Sequence, residues 1–179
     1  VNKELAAVFG NIVSIVNKFC RTKFGEYVPE GGDFGDAELA LLNTLEQRLA
    51  DYQTDMDKIN VRKSATQLRA LWAAGNEYLQ TAAPWAVFKE NPAQAAMQIR
   101  LALNLIVFYA RISAPFIPDA SRAILAAFPS AETAWPDDAK TALQSLKTGD
   151  PFSVPDNLFA KLADEQVADW QAKFSGVRD

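Results

Sequence analysis

The 179 residues are 49% apolar and 22% charged, which is enough for one hydrophobic core, marginal for two, and unlike a disordered chain. Histidine is absent and Cys20 is the only cysteine. This excludes Ser-His-Asp and Cys-His mechanisms, zinc sites built on histidine or several thiolates, and di-iron bundles that need a Glu-x-x-His motif. The net charge of −4 comes wholly from residues 130–179, with nine acids against five bases, because residues 1–129 balance thirteen against thirteen. With no basic surplus, nucleic-acid binding has to be local and base-directed.

In chain order, the pattern opens on a helix from Asn2 to Phe24, with Leu5, Phe9, Ile12, Val16 and Phe19 as its inner stripe. Asn11, Ile15, Lys18 and Thr22 form a second stripe beside it. Glycines and a proline make "GEYVPEGGDFGD" a loop. A second helix starts at Asp36 as N-cap, carries Leu39, Leu42, Leu45 and Leu49, and runs to Met56. A third has Val61, Ala65, Leu68, Trp72 and Leu79 inward and stops at Ala82, because Pro84 disfavours helix at the residue before it. Pro84 then opens a short helix over Trp85 to Glu90, and Asn91-Pro92 restarts the chain again. The helix after Pro92 is apolar nearly all round, which predicts the centre of a bundle. On it, Arg100, Asn104 and Arg111 share a face suited to buried polar contacts. Further helices are predicted over Pro118–Phe128, Pro136–Leu146 and Asp164–Phe174.

The fold class is therefore all-α: a bundle over residues 1–129 and an acidic extension, 130–179, whose short helices pack back on it. Trp135 and Trp170 are the expected pins. No run of apolar residues reaches a membrane span and no basic stretch leads into an apolar one, so the chain reads as cytoplasmic. Val1, in a stretch already helical in pattern, reads as part of a longer protein.

Candidate chemistry is sparse. Asp51 and Asp55 lie one turn apart on a lysine-flanked face and read as solvated surface. No glycine-rich phosphate loop follows a strand. Cys20 reads as a small buried hydrophobe and Trp72 as core. For Trp85 the residues leave two readings open. A tryptophan at a helix end usually fills a junction, yet the proline places it at a helix start where a flat ring can stack on a base. Asn11 divides likewise between a solvated amide and a reader of base edges. Asn76 and Gln80, one turn apart before the corner, edge it or are solvated.

The block "LRALWAAGNEYLQTAAPWAVFKENPAQAAMQIRLALNLIVFYARISAPFIPDASRAIL" resembles the carboxy-terminal anticodon-binding domain of bacterial methionyl-tRNA synthetase, of the class I aminoacyl-tRNA synthetase anticodon-binding type. "NKELAAVFGNIVSIVNKF" resembles its opening helix and "DNLFAKLADEQVADWQAKF" its ending, so the similarity spans nearly the whole chain. It implies a helix bundle that holds the CAU anticodon of methionine tRNA by stacking and amide hydrogen bonds. Carried over by motif, Trp85, with Pro84 beside it, stacks on an anticodon base, and Asn11 contacts anticodon bases. Ile15 stands where the family has an arginine, and an apolar side chain cannot supply the guanidinium fork. Lys18, on the same stripe, is the candidate to replace some of that charge. The family's catalytic half, with its histidine-containing adenylation signature and lysine-rich mobile loop, has no counterpart here. The resemblance thus implies no catalytic residue and no cofactor in this chain: ATP and methionine would bind the catalytic domain. The expected partners are the anticodon loop of methionine tRNA and that catalytic domain, with no membrane and no DNA. Ile15 and the acidic tail keep one alternative, a helical protein-interaction module that has lost RNA binding.

Overall fold

The computed structural model describes residues 8–154 and 163–175. Among the described residues eight helices follow one another: α1 (Gly10–Lys23), α2 (Asp36–Asp57), α3 (Val61–Ala82), α4 (Pro84–Val87), α5 (Pro92–Ser113), α6 (Pro118–Ala126), α7 (Ala139–Ala142) and α8 (Asp164–Phe174). Among the described residues there is no strand, and Tyr27 and Pro151 form an isolated antiparallel bridge. The all-α reading stands.

Helix α5 is the axis. Every residue from 101 to 113 is buried, and α1, α3, α4, α6 and α7 all pack on it. By length and composition α5 resembles a membrane span, but its apolar surface is consumed inside the protein. The helix restarts have the local causes expected of them. Asn91 accepts a hydrogen bond from the Gln94 N–H (3.1 Å) and Pro92 opens α5. The polar face of α5 is answered by loops. Arg100 donates to the carbonyls of Gly31 and Gly32, both at 2.8 Å. Asn104 Oδ1 accepts from the Leu146 N–H (2.9 Å), and Arg111 pairs with Glu132 (3.4 Å). Gly31 has to be glycine: a Cβ there would collide with the backbone of Met97 as the loop crosses α5.

Phe9, Ile12 and Val16 of the first helix are buried and Phe19 is half-buried; Leu5 and the predicted start at Asn2 lie outside the described residues. Phe9 stacks on Trp72 (5.4 Å) and meets Tyr109 edge-on (6.0 Å), which fixes α1 against α3 and α5. Trp72 donates its indole N–H to Ser113 Oγ (3.2 Å), as befits a core tryptophan.

Several local expectations need correction. Gly35, not Asp36, is the N-cap of α2, and its N–H is held by the Glu38 carboxylate at 2.9 Å. Leu39 points to solvent. One step earlier, Glu38 takes the inner position instead, because Tyr78 O–H donates to it at 2.6 Å and makes its burial tolerable. Val61 is also exposed, since it lies at the tip where α3 begins; the inner stripe starts at Ser64. Helix α7 covers four residues rather than Pro136–Leu146: Asp138 caps it by accepting from the Thr141 N–H, and turns follow. Trp135 does rest on Tyr52, with ring centroids 5.6 Å apart. Trp170 does not act as a pin, since it is half exposed and no residue of α8 is buried. Leu143, Leu146, Phe152 and Val154 join the core shared with α5.

Candidate nucleic-acid interface

The segment between α3 and α5 breaks the helix and restarts it twice, at Pro84 and at Pro92. Ala83 closes α3 with its N–H on the Leu79 carbonyl (3.0 Å) and adopts a left-handed conformation, φ 41°. A proline to its right excludes the helical region for Ala83, and the left-handed region is costly for a residue with a Cβ. The chain thus holds a strained backbone at this corner. Pro84 is buried at the first position of α4. Trp85, next to it, leaves 38% of its surface open. The residue is therefore not sealed in a junction.

Helix α4 has only four residues, shorter than the predicted Trp85–Glu90, so the dipole invoked for a helix start at Trp85 is small here. What holds the corner is aromatic packing. Phe88 meets Phe19 and Phe24 of the α1 segment edge-on, at 5.8 and 5.4 Å, and those two rings contact each other at 6.2 Å. Lys23 Nζ lies 5.4 Å from the Phe88 centroid. The corner and the second half of α1 are thereby locked together.

On α1 itself, Ile12, Val13, Val16, Asn17 and Cys20 face the core. Asn11, Ile15 and Lys18, at steps of four and three, form one exposed line on the opposite side. Ile15 is 40% exposed. The fold therefore puts the predicted α1 residues on an open face of the helix whose last turn, with Phe24 after it, meets Phe88, the residue that follows α4. Asn76 is half-buried and Gln80 exposed on the last turns of α3. Beneath the face, burial pushes the Cys20 thiol up to about 12, so it is a packed neutral group and not a nucleophile. Among the described residues no three His, Cys, Asp or Glu side chains converge as metal ligands. The α1 face offers the Asn11 amide and the Lys18 ammonium, and the corner offers the Trp85 indole. These can stack on a base, pair with a base edge and meet a phosphate.

Sequence reasoning missed Phe88, Phe24 and Lys23. The only local signal was the three-residue spacing from Trp85 to Phe88. Their meeting with α1 depends on how the two segments lie across α5.

Comparison with known proteins bears on this face. Residues 28–179 match the family described as the anticodon binding domain of methionyl tRNA ligase. The chain is 60% identical over 179 residues to a methionine–tRNA ligase of Jannaschia sp. (strain CCS1), and 54% identical over 178 residues to one of Paracoccus denitrificans (strain Pd 1222). It is covered whole by the first and 99% by the second, and spans 31% of the length of each. Its fold resembles that of Mycobacterium tuberculosis methionyl-tRNA synthetase in a crystal structure bound by methionyl-adenylate. The TM-score is 0.76 at 21% identity, over 89% of this chain and 32% of that one. That likeness speaks for the fold alone, but the family match extends over most of the sequence, and the chain belongs to the anticodon-binding domains of methionyl tRNA ligases.

Proposed function

We propose that this chain is the tRNA-recognising part of a methionine–tRNA ligase and that it reads the CAU anticodon in an unpaired loop. Trp85 stacks on one anticodon base, Pro84 fixes the ring's approach, and Asn11 pairs with base edges through its amide. Lys18 supplies charge on the same line. Ile15 contributes apolar contact where the family has an arginine. The chemistry of methionine activation, with ATP and methionine, belongs to a catalytic part outside these residues, in a cytoplasmic enzyme.

The observation that carries this reading is the part-exposed Trp85 at a strained corner, with Phe88 after α4 meeting the helix that bears Asn11. Stacking of one base on an aromatic ring contributes about 1–3 kcal/mol, so Trp85→Ala should weaken binding of a CAU anticodon stem–loop about 5- to 150-fold. Because the ring is partly solvated already, the thermal midpoint should change little. Equal affinity of the two proteins would end the proposal.

The exposed Ile15 favours one second reading, a surface for a protein partner. A chain of that kind would bind a CAU loop no better than a scrambled loop, and Trp85→Ala would leave both unchanged.

A further inference from the structure

An acidic protein that takes up an RNA loop has to present positive charge where the loop lies. Lys23 is distinguished by how its charge is held. It is exposed in the last turn of α1, with Nζ 5.4 Å from the Phe88 centroid. Phe88 is itself fixed edge-on by Phe19 and Phe24. It follows Trp85 by three residues, as the C-cap of the short helix that Pro84 opens. Lys23 is thus tied to the corner that presents the indole.

Arg21 gives a contrast two residues earlier. Its guanidinium lies 3.1 Å from Glu26, and a carboxylate answers its charge. Lys23 has no carboxylate partner among the described residues. An aromatic face orients an ammonium without neutralising it, so its field remains available to an outside anion. An ammonium is a point charge with rotatable donors, suited to a phosphate that arrives without a fixed plane.

We infer that Lys23 binds a backbone phosphate of the RNA loop, next to the nucleotide whose base lies on Trp85. This rests on the anticodon-reading proposal and adds a positioning contact to it: phosphate contacts set register, base contacts set sequence. The competing role for Lys23 is purely structural. A cation near a helix C-terminus complements the helix dipole and the last free carbonyls, with no RNA involved.

Binding of a CAU anticodon stem–loop, and of the same stem with a scrambled loop, separates these roles when titrated across salt. The proteins are the full chain, K23M and K23R. Methionine keeps the length and helix propensity of lysine and removes the charge. K23M is expected to weaken both loops by the same factor and to lower the slope of log K against log salt by about 0.7 to 0.9, the value for one released counterion. K23R should retain the slope, and the thermal midpoints of all three should coincide. An unchanged slope in K23M overturns the inference, as does a loss confined to the CAU loop. If the unsubstituted chain bound both loops equally and K23M still lowered the slope, the phosphate contact would stand and the anticodon reading would fall. If it bound neither loop, both would fall.

Discussion

The "GN" of "GNEYLQ" makes a sharp prediction about what holds the corner in place. Gly75 is buried in α3, and a Cβ built on it would run into the hydroxyl of Tyr109 and come within 3.1 Å of two of its ring carbons. Tyr109 is fully buried on α5 and donates to the Leu71 carbonyl at 2.7 Å. Glycine is thus the residue that lets α3 and α5 approach at this level. Ordinarily Gly→Ala inside a helix gains about 1 kcal/mol. Here overpacking costs about 1–3 kcal/mol, and a displaced Tyr109 leaves a buried hydroxyl unpaired for about 1–3 kcal/mol more. Gly75→Ala should therefore destabilise the chain by about 1–5 kcal/mol, which for a protein of this size lowers the thermal midpoint by roughly 2–20 °C. Tyr109→Phe removes the colliding oxygen. In that background Gly75→Ala should lose most of its cost, giving a coupling of about 1–3 kcal/mol in a double-mutant cycle read by urea unfolding. A Gly75→Ala chain as stable as the parent, or equally damaged with and without the Tyr109 hydroxyl, would refute the interlock.

Glu38→Ala should cost about 2–4 kcal/mol in urea unfolding, because it orphans both the Tyr78 hydroxyl and the Gly35 N–H; Glu38→Gln should cost less, since an acceptor remains. Cys20 is the first buried group through which stability should fall as pH rises. Its thiol is raised from 9.0 to about 12 by burial, so its contribution is complete below pH 9 and is lost as pH rises towards 12. Stability should fall by about 1.4 kcal/mol per pH unit above about pH 9 from this group, and Cys20→Ala should flatten that limb. Tyr52, Tyr78 and Tyr109, each raised by burial, steepen it further only above their ordinary value of 10.0. Ile15→Arg should tighten CAU-loop binding by about 1–3 kcal/mol over a scrambled loop, judged by paired titrations, and no gain would count against α1 as a base-reading face.

Much of the architecture was written in local chemistry. Proline at 84 and 92 and asparagine at 91 act through their own backbones, and the broad apolar surface of α5 needs no partner to be recognised. Where legibility stopped, a contact distant in sequence decided the outcome. Counting back from Leu42 by three gives Leu39 and by four gives Glu38, and both steps are helical. Only Tyr78, forty residues away, makes the charged residue the buried one. The site divides the same way. Residue chemistry alone left Trp85 between a sealed anchor and an open stacking plane. The difference turns on exposure, which no local signal carries: Trp85 is 38% exposed, while the Phe19, Phe24 and Phe88 cluster draws the end of α1 up to the residue after α4. Lys23 was invisible for the same reason: nothing in its own neighbourhood distinguishes it from Arg21 until Glu26 takes one and a ring takes the other. On the proposed reading, a protein with no basic surplus meets RNA through local charge, with some cations answered by carboxylates and a few left open near Trp85. On that view the substitution at Ile15 removes one donor from a distributed interface rather than its anchor. The charge left uncompensated over Phe88 then becomes the more telling position to test.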